Sequence, residues 1–226
     1  MLHFHNHNLI FIEVPKTATS SIIAGALSKS KDLKRNSLYK ERCIVHQTLT
    51  HVPAKQVCQL LKLSDIKNQK LFAFYRNPVD VLRSKYFFYR SGRAKLQLDD
   101  PSFKAPLKQR LNVFLANILP LPLWALVIPY TTSSEYILNS SGEILVDILC
   151  DYSRVSDLVP DILVNKFNIY DSFSLPSVNT SANGKIPCSR LEALMLKLAV
   201  NIRLKRDLHV WDLLQNSGGF LTKGNF

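Results

Sequence analysis

The chain has 226 residues, of which 46% are hydrophobic and 20% charged, which is typical of a globular domain and excludes a disordered or fibrous protein. A net charge of +12, from 29 Lys and Arg against 17 Asp and Glu, favours anionic partners such as nucleotides, acidic glycans, nucleic acids or membrane surfaces. The four cysteines are widely spaced and form no CxxC pair, so the sequence predicts neither a zinc site nor a redox motif.

The first long predicted element is a buried strand, because residues 9–14 form a short apolar run. Pro15 ends regular pairing, since proline has no N–H to donate, and Lys16 follows it. Small and hydroxyl-bearing residues come next: Thr17, Ala18, Thr19, Ser20 and Ser21. Thr19 or Ser20 is suited to cap a helix that begins at Ser21. Backbone N–H groups and one lysine then point at one spot, which predicts a phosphate or sulfate site.

Two later strands also end in polar residues. Residues 43–45 are a short apolar strand followed by His46, and residues 71–75 are a continuous apolar strand followed by Arg76. Strands alternate with helices, so the sequence predicts a single α/β domain over residues 1–226 with a P-loop-like central parallel sheet flanked by helices. Ligands in such sheets bind at the carboxyl ends of the strands, where Lys16, His46 and Arg76 all occur.

Near the N-terminus, His3, His5 and His7 alternate along a predicted strand. No acidic or cysteine partner is nearby, so an exposed strand edge is favoured over a metal site. The apolar run over residues 113–130 contains three prolines, which would break a membrane-spanning helix. We interpret it as a buried or substrate-facing segment, with a membrane-surface role left open.

The last predicted helices lie in the C-terminal half of the chain. Residues 155–167 are predicted to be helical, and residues 189–215 to form one long amphipathic helix whose apolar stripe includes Leu191, Leu194 and Leu198.

A second anion site is predicted around Arg76. A helix opens at Pro78, and Ser84 lies two turns into the segment that follows the arginine. An arginine fork and a hydroxyl are good partners for a phosphate. The alternative is that Arg76 pairs with Asp80 and that Ser84 faces solvent.

Taken together, these motifs resemble a known family. Lys16 with its hydroxyl-rich loop, followed by the pattern Arg-Asn-Pro-x-Asp-x-x-x-Ser-x-Tyr, is similar to carbohydrate sulfotransferases of the Golgi type and their bacterial relatives. These enzymes use 3′-phosphoadenosine 5′-phosphosulfate (PAPS). The block VPKTATSS and the block YFFYRSG resemble the uronyl 2-O-sulfotransferases, and shorter later blocks resemble the chondroitin and dermatan sulfotransferases.

The resemblance implies a role for each matched residue. Lys16, Thr17, Ala18, Thr19, Ser20 and Ser21 would hold the 5′-phosphosulfate. Arg76 and Ser84 would hold the 3′-phosphate, and Thr180 and Ser181 would approach the cofactor from a late loop. His46 matches the family's general base, with His51 and Glu13 as alternatives for that role. The implied reaction is in-line sulfuryl transfer with Lys16 stabilising the leaving phosphate, without a metal.

The implied acceptor is a hydroxyl of a glycan or glycolipid, with no nucleic-acid partner. The N-terminal residues lack a basic region and a long apolar stretch, so the sequence predicts no secretory signal and a cytoplasmic location. Two other functions stay open: another P-loop nucleotide enzyme, and a non-catalytic binder of acidic glycan or nucleic acid. The first would need magnesium and a Walker-type loop, which the sequence lacks.

Overall fold

A computed structural model describes residues 1–29, 34–35, 51–62, 69–91, 94, 107–128, 132–176 and 189–223. Within these ranges the strands are β1 Leu2–Phe4, β2 Leu9–Ile12, β3 Lys34–Arg35, β4 Lys70–Tyr75, β5 Ile148–Asp151 and β6 Phe220–Thr222. The α-helices are α1 Thr19–Lys29, α2 Ala54–Lys62, α3 Pro78–Arg90, α4 Leu107–Ile118, α5 Leu121–Val127, α6 Val155–Pro160, α7 Arg190–Arg203 and α8 Lys205–Asn216.

All six strands belong to one sheet in the order β3-β1-β2-β4-β5-β6. The three central strands are parallel, with Ile12 paired to Ala73 and Tyr75 paired to Asp151. The outer strands run antiparallel to their neighbours. The α/β class and the parallel centre of the sheet are therefore confirmed.

The residues group into two compact units. The first contains Met1–Arg76, Ser133–Asn179 and Val210–Phe226, and includes the whole sheet. Its apolar side chains bury both faces of the sheet. Ile10, Ala73 and Leu149 belong to one cluster, while Phe11 and Phe72, from alternate positions, belong to the other. The single-domain interpretation stays a prediction.

The second unit contains Asn77–Thr132 and Thr180–His209, and its described elements are helices. Helix α3 begins at Pro78, as predicted, and the side chain of Asn77 accepts a hydrogen bond from the Val79 N–H at 2.9 Å. The core of the unit surrounds Trp124, which is fully buried and lies with its ring 5.3 Å from that of Tyr86.

Several predicted elements differ from the observed ones. The long helix over residues 189–215 is two helices, because the backbone of the buried Leu204 leaves helical angles between α7 and α8. The three N-terminal histidines do not share a strand face, since β1 ends at Phe4 and His5–His7 form a 3₁₀ turn. Residues 155–167, predicted to be helical, form α6 followed by a π-helix over Asp161–Lys166.

The apolar run over residues 113–130 contributes to α4 and α5, and several of its large side chains are exposed rather than buried. The predicted strand over residues 43–45 lies outside the described residues. Within the described ranges, no helix has both the length and the apolar character needed to cross a membrane.

Candidate functional site

The turn between β2 and α1 has an unusual backbone. Lys16 and Ala18 have positive φ angles of 70° and 53°, whereas Thr17 between them does not. Non-glycine residues seldom adopt such angles, which cost about 1–3 kcal/mol and cluster at functional sites. Backbone that alternates between the two hands turns successive N–H groups toward one side and forms an anion-binding concavity. The turn therefore has the backbone geometry that the predicted phosphate or sulfate site needs.

Two threonine side chains brace this turn from within. The Thr17 hydroxyl donates to the Val14 carbonyl at 2.7 Å, and the Thr19 hydroxyl donates to the same oxygen at 3.0 Å. All three residues are buried. Helix α1 begins at Thr19, two residues earlier than predicted. The hydroxyl of this first residue bonds to the Val14 carbonyl, so it does not cap a helix that begins at Ser21. In this arrangement both hydroxyl protons are directed into the turn, while Ser20 is exposed and Ser21 is buried.

The Lys16 turn meets Arg76 at one edge of the sheet. Strands β2 and β4 are adjacent and parallel, so the turns that follow them lie at the same edge. The Arg76 guanidinium donates from Nη1 to the Lys16 carbonyl at 3.3 Å. The lysine turn and the arginine turn therefore form one local arrangement.

A third strand end also contributes to this arrangement. Tyr152 directly follows β5, the next parallel strand, and the Arg76 guanidinium lies 4.7 Å from the centre of its ring. Three consecutive parallel strands thus place one polar or aromatic residue each at the same edge. Sequence reasoning missed Tyr152; its only signal was its position immediately after an apolar strand.

The charges at this edge act on each other. The side chain of Lys16 is partly buried, and this desolvation, followed by the positive charge of Arg76, lowers the pKa of Lys16 below its ordinary value of 10.5. Both effects act against the protonated form of Lys16, and an anion bound at the turn would oppose them. The first turn of α1 contains no acidic residue that would occupy the positive end of the helix dipole.

A histidine lies at the end of β2. His51 Nδ1 is 2.7 Å from the carbonyl oxygen of Glu13, and the ring packs edge-on against Tyr136. Because a carbonyl oxygen only accepts, neutral His51 carries its proton on Nδ1, which leaves Nε2 as its basic nitrogen. Glu13 itself is fully buried, and its carboxylate lies 2.7 Å from the Met1 amino group.

Four other predicted site residues lie in the second unit or outside the described residues. Ser84 belongs to the second unit, where it is half-buried on α3. His46, Thr180 and Ser181 lie outside the described residues. Among the residues that the structure covers, no group of three or more His, Cys, Asp or Glu side chains is arranged to hold a metal ion.

Comparison of the chain with protein families, with curated proteins and with solved structures finds no match.

Proposed function

We propose that this protein is a PAPS-dependent sulfotransferase that transfers a sulfuryl group to a hydroxyl of a glycan or glycolipid. The observation that carries the proposal is that Lys16 and Arg76 are in contact at the carboxyl ends of two adjacent parallel strands. The distance from Arg76 Nη1 to the carbonyl oxygen of Lys16 is 3.3 Å. These are the two residues that the resemblance assigns to the two anionic ends of the cofactor.

The electrostatics of the turn support an anionic ligand. Lys16 and Arg76 are neighbouring cations, and the lowered pKa of Lys16 reflects both burial and this repulsion. A dianionic group bound at the turn would offset both effects, because it interacts favourably with each cation and with the backbone N–H groups of the first turn of α1. The Arg76 contact also ties the arginine to the loop, so the residue positions the turn as well as contributing charge.

The proposed reaction is a single displacement. The acceptor oxygen attacks the sulfur of PAPS, the bond from sulfur to the bridging oxygen breaks, and 3′-phosphoadenosine 5′-phosphate (PAP) leaves. Lys16 and the backbone N–H groups stabilise the charge that develops on the leaving phosphate. The acceptor proton passes to a histidine.

Two histidines are candidates for this base. His46 is the one that the resemblance implies. His51 is supported by its Nδ1 contact with the Glu13 carbonyl, which assigns the proton of the neutral ring to Nδ1 and holds the ring beside the residues that lead into the Lys16 turn. Transfer assays with His46→Ala and His51→Ala separate them: the variant of the base keeps PAP binding and loses transfer.

Calorimetric titration with PAP tests the cofactor site. Each charged hydrogen bond contributes about 1.5–3 kcal/mol, so Lys16→Ala and Arg76→Ala should each weaken PAP binding by about 10- to 150-fold. Lys29→Ala is the matched control, because its side chain is exposed in the last turn of α1, at the end of the helix opposite the Lys16 turn, and this variant should bind PAP like the wild type.

The rival functions predict no affinity for PAP in this titration, and each predicts a different ligand. Magnesium-dependent binding and turnover of ATP without affinity for PAP would favour another P-loop nucleotide enzyme. Salt-sensitive binding of DNA or of a sulfated glycan, again without affinity for PAP, would favour a non-catalytic binder.

A further inference from the structure

The helical unit carries an exposed apolar stripe on α4. Leu107, Leu111, Phe114 and Ile118 follow each other at intervals of four, three and four residues, so they share one face of the helix. Leu107 is 81% exposed and Phe114 is 60% exposed. The opposite face of α4 is already packed, since Val113 and Ala116 are buried in the unit. The exposed stripe is therefore not needed to build the core.

Neighbouring helices of the same unit repeat this feature. Leu123 and Val127 are exposed on α5, although Trp124 and Ala125 of that helix are buried. The apolar stripe predicted for α7 is also largely exposed, at Leu191, Leu194, Leu198 and Ile202, and Met195 of the same helix is exposed too. Exposed apolar side chains that adjoin on one face, as those of α4 do by their spacing, mark an interaction site more often than a free surface.

The charge of this unit indicates what covers the stripe. The residues of the unit, 77–132 and 180–209, include 14 Lys and Arg against 5 Asp and Glu, so the unit carries +9 of the chain's net charge of +12. Helices α4 and α5 contain no acidic residue. Lys108 and Arg110 are exposed on the two sides of the α4 stripe. This pattern, apolar in the middle and basic at both edges, is typical of a helix that lies in the interface of an anionic membrane.

We propose that the stripe of α4 docks on the surface of an anionic lipid bilayer. The aliphatic and aromatic side chains would enter the acyl boundary, while Lys108 and Arg110 extend to the lipid headgroups. A second copy of the chain fits the stripe poorly, because it would bring two strongly basic units together. This inference does not depend on the proposed function.

Vesicle flotation with the full chain tests the proposal. Vesicles of phosphatidylcholine with phosphatidylserine should capture the wild type, vesicles of phosphatidylcholine alone should capture much less, and added salt should weaken capture. The double variant Phe114→Ser/Ile118→Ser should lower partitioning onto anionic vesicles by more than about tenfold. Lys108→Gln and Arg110→Gln should each lower it by about fivefold.

Leu27→Ser is the matched control, because Leu27 is 43% exposed on α1 in the other unit, and its partitioning should equal that of the wild type. Far-ultraviolet circular dichroism verifies that the variants are folded. The proposal is overturned if the wild type floats with neither kind of vesicle, or if the Phe114→Ser/Ile118→Ser variant floats like the wild type. It is also overturned if sedimentation shows a dimer that this double variant dissociates.

Discussion

The bracing of the Lys16 turn by two threonines gives a prediction that needs no knowledge of the ligand. Thr17→Val and Thr19→Val each remove one of the two hydroxyl donors to the Val14 carbonyl and keep the shape of the side chain. Each single variant leaves that carbonyl with one hydroxyl donor. The double variant leaves a fully buried carbonyl without either hydroxyl.

The expected energies follow from these contacts. A single net hydrogen bond is worth about 1 kcal/mol, so each single variant should lower the free energy of unfolding by about that amount. Leaving the buried carbonyl unsatisfied costs about 1–3 kcal/mol more. The double variant should therefore lose more than the sum of the singles, with a coupling energy of about 1–3 kcal/mol.

Urea unfolding of the four proteins measures this coupling. The matched control cycle combines Thr17→Val with Ser28→Ala. The Ser28 hydroxyl also bonds to a backbone carbonyl, but its acceptor is Gly25, so the two substitutions share no acceptor. That pair should be additive within about 0.5 kcal/mol. Additive energies for Thr17→Val and Thr19→Val would refute the shared acceptor and with it the described conformation of the turn.

Three further predictions concern charge, capping and the second core. Because the pKa of Lys16 is lowered on folding, the unfolded state holds this proton more tightly, so stability rises as the pH increases from the folded pKa toward 10.5. Thermal unfolding of Lys16→Met should lack this rise, whereas Lys29→Met should keep it. Asn77→Ala should lower the free energy of unfolding by about 1 kcal/mol through loss of the α3 cap, and Asn77→Ser should restore most of it. Trp124→Ala should cost about 3–5 kcal/mol in chemical denaturation, since the side chain is fully buried.

Each of these has its own contrary result. A pH profile that Lys16→Met shares with the wild type would mean that the lysine is not buried beside Arg76 in solution. Equal losses for Asn77→Ala and Asn77→Ser would remove the capping bond. A small loss for Trp124→Ala would mean that the helical unit is loosely packed around this residue.

The sequence predicts those parts of the site that depend on regular elements. The apolar runs that become β2 and β4 are buried on both faces, and this is why the turns after them, at Lys16 and Arg76, were expected at one sheet edge. Pro78 marks the start of α3 because proline is accepted in the first turn of a helix.

The remaining features depend on tertiary contacts that leave no local pattern. Helix α1 begins at Thr19, where the Thr19 hydroxyl bonds to the Val14 carbonyl. This partner lies five residues earlier in the chain, and sequence spacing alone does not identify it. The contact of His51 with Glu13 spans 38 residues, and that of Tyr152 with Arg76 joins two strand ends. The sequence did not predict the exposure of the α4 and α7 stripes either, because the spacing of apolar residues along a helix is the same whether that face is buried or exposed.

The most direct test of the central claim is a double-mutant cycle of PAP affinity with Lys16→Ala and Arg76→Ala, measured by calorimetry. If both cations serve one nucleotide, the wild type binds PAP, each single variant binds at least about tenfold more weakly, and the double variant loses less than the sum of the singles. A wild type without measurable affinity for PAP, or single variants that bind it as tightly as the wild type, would contradict the account.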